Sequence, residues 1–428
     1  MRRAGSRSCT TCTSRRDDTG LDKFVATHVT SRAVDKNQPS APWIAHLRAR
    51  FPCEPEIDRV LTRKLERRSG PGYASVSLAT LVAGIESLLR AELRQPFTIA
   101  EARWLAGGAS KVQMAFTLTW ERPGRGHETT AMVLRMEPAE SIIETSRLRE
   151  FELIKAFAGV VPVPSVYWVD AYGEHLPYPA LIYGFVAGVT KPTHATSMAT
   201  GMGTYMAPEW RAQLGPQFVE CLARIHTRDV TSAGLHHFEC PPPGTRALEL
   251  ALNMWERVWE EDADEEVPLL RLAAVWLREN MPVCARPVIL HGDYRTGNFL
   301  FTEHDARITA ILDWEMARIG DHHYDLAWAA APAYGHPAED ARTLLVGGFM
   351  PEPEFFDRYQ QLSGLKLDPK ALYYHKVFIG YVQGVISLAT TYRIARNGKT
   401  HQDVLLTWII GIGSMLIDDL RKLLERGA

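Results

Sequence analysis

Two short apolar stretches that carry acids constrain this chain more than any other feature. The first, HGDYRTGNFLF, runs from His291 to Phe301, and the second, ILDWEMA, carries Asp313. Buried strands seldom contain charged residues, because an ionised side chain loses its hydration when it is buried. Asp293, Asn298 and Asp313 offer the hard oxygen ligands that Mg²⁺ prefers. The pattern predicts two buried strands that bring these side chains to a site for metal and phosphate. The alternative is a pair of turns capped by Asp and Asn side chains.

The hydrophobic periodicity divides the rest of the chain. Helical spacing in PWIAHLRARF and VSLATLVAGIESLLRAEL predicts a helical extension over 46–95, after a tail over 1–45 that is expected to be disordered. Alternation then predicts three strands, with RPGRGHE as a polar turn, followed by one helix and two more strands in an N-lobe over 96–187. Helices dominate a C-lobe over 188–428. The predicted fold class is α+β, with a small antiparallel-sheet lobe and a mainly helical lobe.

Composition excludes several classes of protein. A net charge of -2 argues against a general nucleic-acid binder. The run VLLTWIIGIGSMLI is shorter than the roughly 20 residues of a membrane span, and predicts a buried C-terminal helix. The N-terminus lacks the apolar core of a secretory signal, so the expected compartment is the cytoplasm. Six cysteines do not suggest a disulfide framework. Cys221 and Cys284 are interpreted as core thiols, and Cys9 and Cys12 have no second pair at zinc-site spacing.

Taken together, the two stretches closely resemble the paired motifs of the aminoglycoside phosphotransferase and choline kinase superfamily, which is related to the protein kinases. The nearest branch is the phosphotransferase-family domain also found fused to acyl-CoA dehydrogenases. The resemblance runs from about Phe97 to the C-terminus. It implies a protein-kinase-like bilobal fold and an enzyme that uses ATP and Mg²⁺ to phosphorylate a hydroxyl group of a small molecule.

The resemblance also implies roles for particular residues. Asp293 is similar to the catalytic aspartate, Asn298 and Asp313 to the Mg²⁺ ligands, and His291 is expected to brace their loop. The stretch LAGGASK resembles the loop that covers the phosphates, so Gly107, Gly108 and Ser110 are expected to contact ATP. Lys111 is interpreted as a surface charge.

One position departs from the kinase pattern. The strand AMVLRM places Arg135 where a lysine is expected, and an arginine can clamp phosphates with two parallel hydrogen bonds. Its expected partner is Glu150 on the following helix, with Glu152 left open by the spacing. Adenine is expected to contact the backbone at Gly184, Phe185 and Val186.

The acceptor is the least constrained part of the prediction. WEEDADEE, over Trp259–Glu266, can attract a polycationic aminoglycoside, but charge runs are more often solvated. The apolar C-terminal region favours a hydroxyacyl thioester or a lipophilic alcohol, the former being associated with the acyl-CoA dehydrogenase-fused branch. A third possibility is a nucleotide-binding pseudokinase scaffold, supported only by the missing lysine. His322 and His323 are expected to be solvated, and Asp325 to cap a helix or tie a loop.

Overall fold

The computed structural model describes residues 34–105, 111–194 and 202–427, and Lys36–Ala428 form one compact unit. A π-helical stretch over Ile386–Thr390 joins the helix Pro369–Val385 to the helix Thr391–Arg396. The α-helices are α1 Ala41–Arg50, α2 Pro55–Arg67, α3 Leu78–Glu92, α4 Arg147–Phe157, α5 Pro208–Thr227, α6 Arg246–Asp262, α7 Pro268–Glu279, α8 His323–Ala329, α9 Glu352–Ser363, α10 Pro369–Val385, α11 Thr391–Arg396, α12 Asp403–Gly411 and α13 Gly413–Arg426. The strands are β1 Phe97–Trp104, β2 Val112–Arg122, β3 Gly126–Met136, β4 Val166–Asp170, β5 Ala180–Gly184, β6 Val288–Leu290, β7 Phe299–Thr302, β8 Arg307–Ile311, β9 Arg318–Gly320, β10 His336–Pro337, β11 Leu344–Val346 and β12 Met350–Pro351.

The first strands form an antiparallel sheet in the order β1-β2-β3-β5-β4. Helix α4 follows β3, so the predicted order of three strands, one helix and two strands is confirmed. The turn between β2 and β3 is shorter than the predicted RPGRGHE. Gly124 and Gly126 have φ angles of 75° and 78°, and this left-handed conformation allows a tight reversal.

The helices of the predicted extension contribute to different cores. Apolar residues of α3, including Leu81 and Leu89, pack with strand residues such as Met114 and Phe116. In contrast, Ile57 and Leu61 of α2 belong to the core of the helical lobe. Helix α1 begins at Ala41, capped by the side chain of Ser40, so the predicted disordered tail extends a few residues too far.

The helical lobe contains two short strand pairs that carry the motif residues. Strand β6 pairs with β9, and β7 pairs with β8. The register sets Phe299 opposite Ile311, which brings the residues flanking these two strands, Asn298 and Leu312, side by side. The strand pairing therefore brings the two sequence stretches together.

The C-terminal apolar run is not a single buried helix. It divides into α12 and α13 at Ile412, where a G-I-G sequence weakens helical continuity. Trp408 and Met415 are exposed by 37% and 51%. None of the described helices is both long enough and apolar enough to cross a membrane.

Candidate active site

Asp293 lies on the loop between β6 and β7, and hydrogen bonds hold both of its carboxylate oxygens. Its Oδ1 accepts from Trp328 Nε1 at 2.6 Å and from Arg295 Nε at 2.9 Å. Its Oδ2 accepts from Asn298 Nδ2 at 2.6 Å. Together these donors fix the orientation of the carboxylate. Neither Trp328 nor Arg295 is among the predicted residues, although Arg295 lies within the first motif.

Buried side chains hold the backbone of the loop that carries Asp293. Asp325 is fully buried and accepts hydrogen bonds from the backbone N–H groups of His291 at 2.7 Å and Gly292 at 2.9 Å. His291 Nε2 lies 2.9 Å from the carbonyl oxygen of Leu312, and burial lowers the pKa of this histidine. A neutral imidazole therefore donates its Nε2 proton to that carbonyl. The predictions that Asp325 ties the loop and that His291 braces it are confirmed.

Gly292 is required at its position by conformation and by space. Its φ angle is 86°, and a Cβ atom there would lie 2.3 Å from the carbonyl oxygen of Met316. The close approach joins the loop that carries Asp293 to the segment that follows Asp313.

Asp313 follows β8 and has a left-handed backbone, with φ 65° and ψ 52°. The N–H group of Leu312 donates to the carbonyl oxygen of Asn298 at 2.8 Å, which places Asn298 and Asp313 on adjoining backbone. Burial raises the pKa of Asp313 to about 6, and the nearby acids Glu315 and Asp293 act in the same direction. The structure thus brings together the three residues of the predicted metal and phosphate site.

Arg135 connects the sheet to this site. Its Nη2 donates to Asp313 Oδ1 and, at 3.0 Å, to Glu315 Oε2. Its Nε lies 3.4 Å from Glu150 Oε1 on α4, so the structure pairs Arg135 with Glu150. Glu152 instead bonds to His237. The role of the pair in nucleotide binding remains a prediction.

The interpretation of Lys111 as a surface charge is wrong. The residue is 1% exposed, and its Nζ lies 2.9 Å from Glu137 Oε2 and 3.2 Å from Glu315 Oε2. Glu315 Oε2 therefore interacts with Lys111, which immediately precedes β2, and with Arg135 of β3. No sequence pattern indicates these contacts, because both acids are distant from Lys111 along the chain.

The predicted nucleotide contacts are only partly within the described residues. Gly107, Gly108 and Ser110 lie outside them. Gly184 ends β5, and the N–H group of Phe185 donates to the carbonyl oxygen of Ala131 on β3. Phe185 is exposed and Val186 is half-buried, so the chain just beyond the end of β5 is open to solvent.

His322 and His323 are buried, which corrects the prediction that they are solvated. With Asp321 they place possible metal-ligating atoms within 4.8 Å of one another. However, His323 Nδ1 lies 2.5 Å from Asp321 Oδ1, and its Nε2 accepts from the N–H group of Asp368. His322 Nε2 lies 3.1 Å from the carbonyl oxygen of Lys366. Asp321 also accepts a hydrogen bond from the N–H group of His323. These hydrogen bonds give the cluster a structural role at the start of α8.

The acidic run over Trp259–Glu266 is solvated only in part: residues 264–266 are exposed, as expected, but the acids at the end of α6 are buried and paired with basic side chains. Glu261 and Asp262 are buried against Lys64, at 2.7 Å and 3.1 Å. The other ion pairs of this run among the described residues are Arg257–Glu261, Arg68–Asp262, Arg271–Glu260, Arg271–Glu266, Arg393–Asp264 and Arg396–Asp264.

Residues 115–368 match the phosphotransferase enzyme family, abbreviated APH. The chain belongs to the phosphotransferase enzyme family. Acyl-CoA dehydrogenase family member 11 of Rattus norvegicus is 27% identical over 236 residues, which is 52% of this chain and 29% of the relative. Family member 10 of Mus musculus is 24% identical over 208 residues, covering 47% of this chain and 18% of the relative. The chain therefore spans less than a third of the length of either relative.

Solved structures of phosphotransferases share the fold. A candidate aminoglycoside phosphotransferase from Ralstonia eutropha JMP134 has a TM-score of 0.54 and 21% identity, covering 80% of this chain and 98% of that one. Macrolide 2'-phosphotransferase type I has a TM-score of 0.50 and 15% identity, covering 78% and 97%. The predicted kinase-like α+β fold and the predicted family resemblance are confirmed.

Proposed function

We propose that this phosphotransferase is a small-molecule kinase that moves the γ-phosphoryl group of ATP to a hydroxyl group with the help of Mg²⁺. One observation carries the proposal: Asp293, Asn298 and Asp313 lie on joined loops, and Arg135 links Asp313 to the sheet. Phosphoryl transfer depends on positioning and charge neutralisation, and these residue types supply both.

Asp293 is the proposed catalytic base. It faces the acceptor hydroxyl, orients it for in-line attack and accepts its proton as the new P–O bond forms, while ADP leaves with the electrons of the bond that breaks. Trp328 and Asn298 hold the carboxylate in one orientation. The guanidinium group of Arg295, 2.9 Å away, donates to the same carboxylate and places a positive charge beside it.

The donor set fits a hard divalent cation. Asn298 commits its amide nitrogen to Asp293, so its amide oxygen is the atom available as a ligand. Asp313 supplies a carboxylate that shares its charge with Arg135. Mg²⁺ bound by these oxygens would neutralise negative charge on the phosphates. Arg135, held by Glu150 and Glu315, directs its positive charge to the same place.

Two observations favour an acceptor that is not a polycation. The acidic run over 259–266, the one segment expected to attract an aminoglycoside, pairs its charges with lysine and arginine side chains. In addition, Arg295 places a positive charge beside Asp293. Together with the likeness to acyl-CoA dehydrogenase family members, this supports a hydroxyacyl thioester or a lipophilic alcohol as acceptor.

The pseudokinase alternative loses its support, which was the missing lysine. Lys111, which immediately precedes β2, brings a lysine to Glu315, the acid that Arg135 also binds. A second cation is therefore present beside the arginine.

A screen for acceptor-dependent ADP release tests the proposal. The protein is incubated with ATP and Mg²⁺ against hydroxyacyl-CoAs, long-chain alcohols and aminoglycosides, and products are checked by phosphorus NMR. The expected result is Mg²⁺-dependent phosphorylation of a hydroxyacyl-CoA or lipophilic alcohol. Phosphorylation of aminoglycosides alone would overturn the acceptor assignment, and failure to bind or turn over MgATP in any condition would overturn the proposed function.

A further inference from the structure

Helix α2 lies N-terminal to the family-matching region and contacts both α4 and α6. We call α2, together with Glu54 before it and Arg68 after it, the clamp helix. Its apolar residues Ile57 and Leu61 belong to the same core as residues of α4, namely Leu153, Ile154 and Phe157. Helix α4 is also the helix that carries Glu150.

The first set of polar contacts joins the clamp helix to the start of α4. Ser146 caps α4, and its hydroxyl group donates to Glu56 Oε1. Arg149 Nη1 lies 3.2 Å from Glu54 Oε2. Arg149 Nη2 also donates to the carbonyl oxygen of Ala317 at 3.1 Å. One guanidinium group therefore links the clamp helix, α4 and the segment that follows Asp313.

The second set joins the clamp helix to α6. Lys64 Nζ lies 2.7 Å from Glu261 Oε2 and 3.1 Å from Asp262 Oδ2. Arg68 Nη2 lies 2.6 Å from Asp262 Oδ1, and its Nη1 donates to the carbonyl oxygen of Glu261 at 2.9 Å. These side chains are almost completely buried. Loss of one partner leaves an uncompensated buried charge, so the contacts hold the clamp helix firmly on α6.

From the clamp helix a continuous path of contacts leads to the candidate active site. The clamp helix binds Ser146 and Arg149 on α4, and Glu150 of the same helix pairs with Arg135. Arg135 in turn binds Asp313. We propose that the clamp helix positions α4 for phosphoryl transfer, with Glu54 and Glu56 as its positioning residues. The kinetic part of this inference rests on the proposed function; the placement of α4 does not.

Hydrogen exchange tests the placement without any assay of activity. The variant Glu54→Ala/Glu56→Ala removes the polar contacts to α4 made by these two acids, and leaves the apolar contacts to α4 and the ion pairs of Lys64 and Arg68 with α6. Its α4 amides are expected to exchange at least about tenfold faster than in the wild type, while exchange in α10 is unchanged. Asp58→Ala is the matched control, because Asp58 is an acid of the same helix that pairs with Arg48 and with Arg257 of α6, and Arg257 keeps Glu261 as a second partner. It should leave α4 exchange unchanged.

Kinetics test whether the placement matters for transfer. The double variant is expected to lower kcat/KM for MgATP by about tenfold relative to Asp58→Ala. When Glu150→Gln is already present, the double variant should lower kcat/KM by less than about a further twofold, since both changes act through the Arg135–Glu150 pair. If the double variant does not fold, Glu54→Gln, which keeps the side-chain shape, is expected to show the same faster α4 exchange and the same lower kcat/KM, each to a smaller extent.

The outcomes separate the two proposals. The clamp proposal would be overturned if the double variant matched Asp58→Ala both in the exchange of its α4 amides and in kcat/KM. It would also be overturned if the losses of kcat/KM caused by the double variant and by Glu150→Gln simply multiplied. A wild-type protein that transfers no phosphate would instead overturn the proposed function, and the exchange experiment would still decide whether α2 holds α4.

Discussion

Asp313 combines an unusual backbone with an unusual electrostatic setting. Its φ angle of 65° lies in the left-handed region, which Asp tolerates better than most residues. Burial and the acids around it raise its pKa to about 6, and Arg135 opposes that rise. The carboxyl group therefore changes its charge close to neutral pH, at the position where a metal ligand is proposed.

A pH dependence of metal-assisted nucleotide binding follows from this pKa. Below about pH 6 Asp313 is protonated and neutral, so a proton competes with the cation; above it the carboxylate is ionised and can bind. Affinity for a non-hydrolysable ATP analogue with Mg²⁺ should rise about tenfold from pH 5 to pH 7, as the ionised fraction rises. Calorimetric titration measures this. Asp313→Asn should bind weakly with little pH dependence, and a flat wild-type profile would contradict the role of Asp313.

Lys111 is expected to matter for stability although its position suggested a surface residue. Lys111→Met leaves Glu137 without one of its buried cationic partners, and such a loss costs about 3 kcal/mol of unfolding free energy. Urea denaturation measures the change. Lys422→Met is the control, because Lys422 is on the surface of α13, and it should leave the urea midpoint unchanged. Equal midpoints for both variants would show that the buried ion pairs of Lys111 do not stabilise the fold.

At the scale of elements, α3 packs on the sheet, whereas the clamp helix packs in the core of the helical lobe. Leu89 is fully buried in the core that α3 shares with β2 and β3. Leu89→Ala is expected to lower the unfolding free energy by about 3 kcal/mol, because truncation of a buried leucine leaves a cavity. Thermal or urea unfolding measures this, with Leu272→Ala on the exposed face of α7 as the control. A loss no larger than that of the control would mean that α3 is not part of the core.

Sequence patterns predicted elements well where one periodicity dominated. Strict alternation identified β1 to β3, and helical spacing identified α3 and α4. The same patterns failed where a local exception decided the structure. Glycines at 124 and 126 shortened the predicted turn, and the break at Ile412 divided the C-terminal run.

At the scale of the whole molecule, the sequence predicted residues that lie close together in motifs and missed those that the fold brings together. Asp293 and Asn298 lie in one motif, and their hydrogen bond needs only a local loop. Lys111 meets Glu315, and Arg68 meets Asp262, only through tertiary packing. Ion pairs of this kind leave no local signal in the sequence, because a lysine or acid that becomes buried looks the same along the chain as one that stays exposed. They also include the pairs of Lys64 and Arg68 with the buried acids of the run over 259–266.

The central claim is that Asp293 acts on the acceptor hydroxyl beside a nucleotide held by separate groups. The most direct measurement compares wild type with Asp293→Asn for MgATP affinity and for the rate of phosphoryl transfer to the acceptor found in the screen. The affinity should stay within about threefold, while the rate should fall at least about a hundredfold, the usual contribution of a general base. An Asp293→Asn protein that retains the wild-type transfer rate would contradict the account.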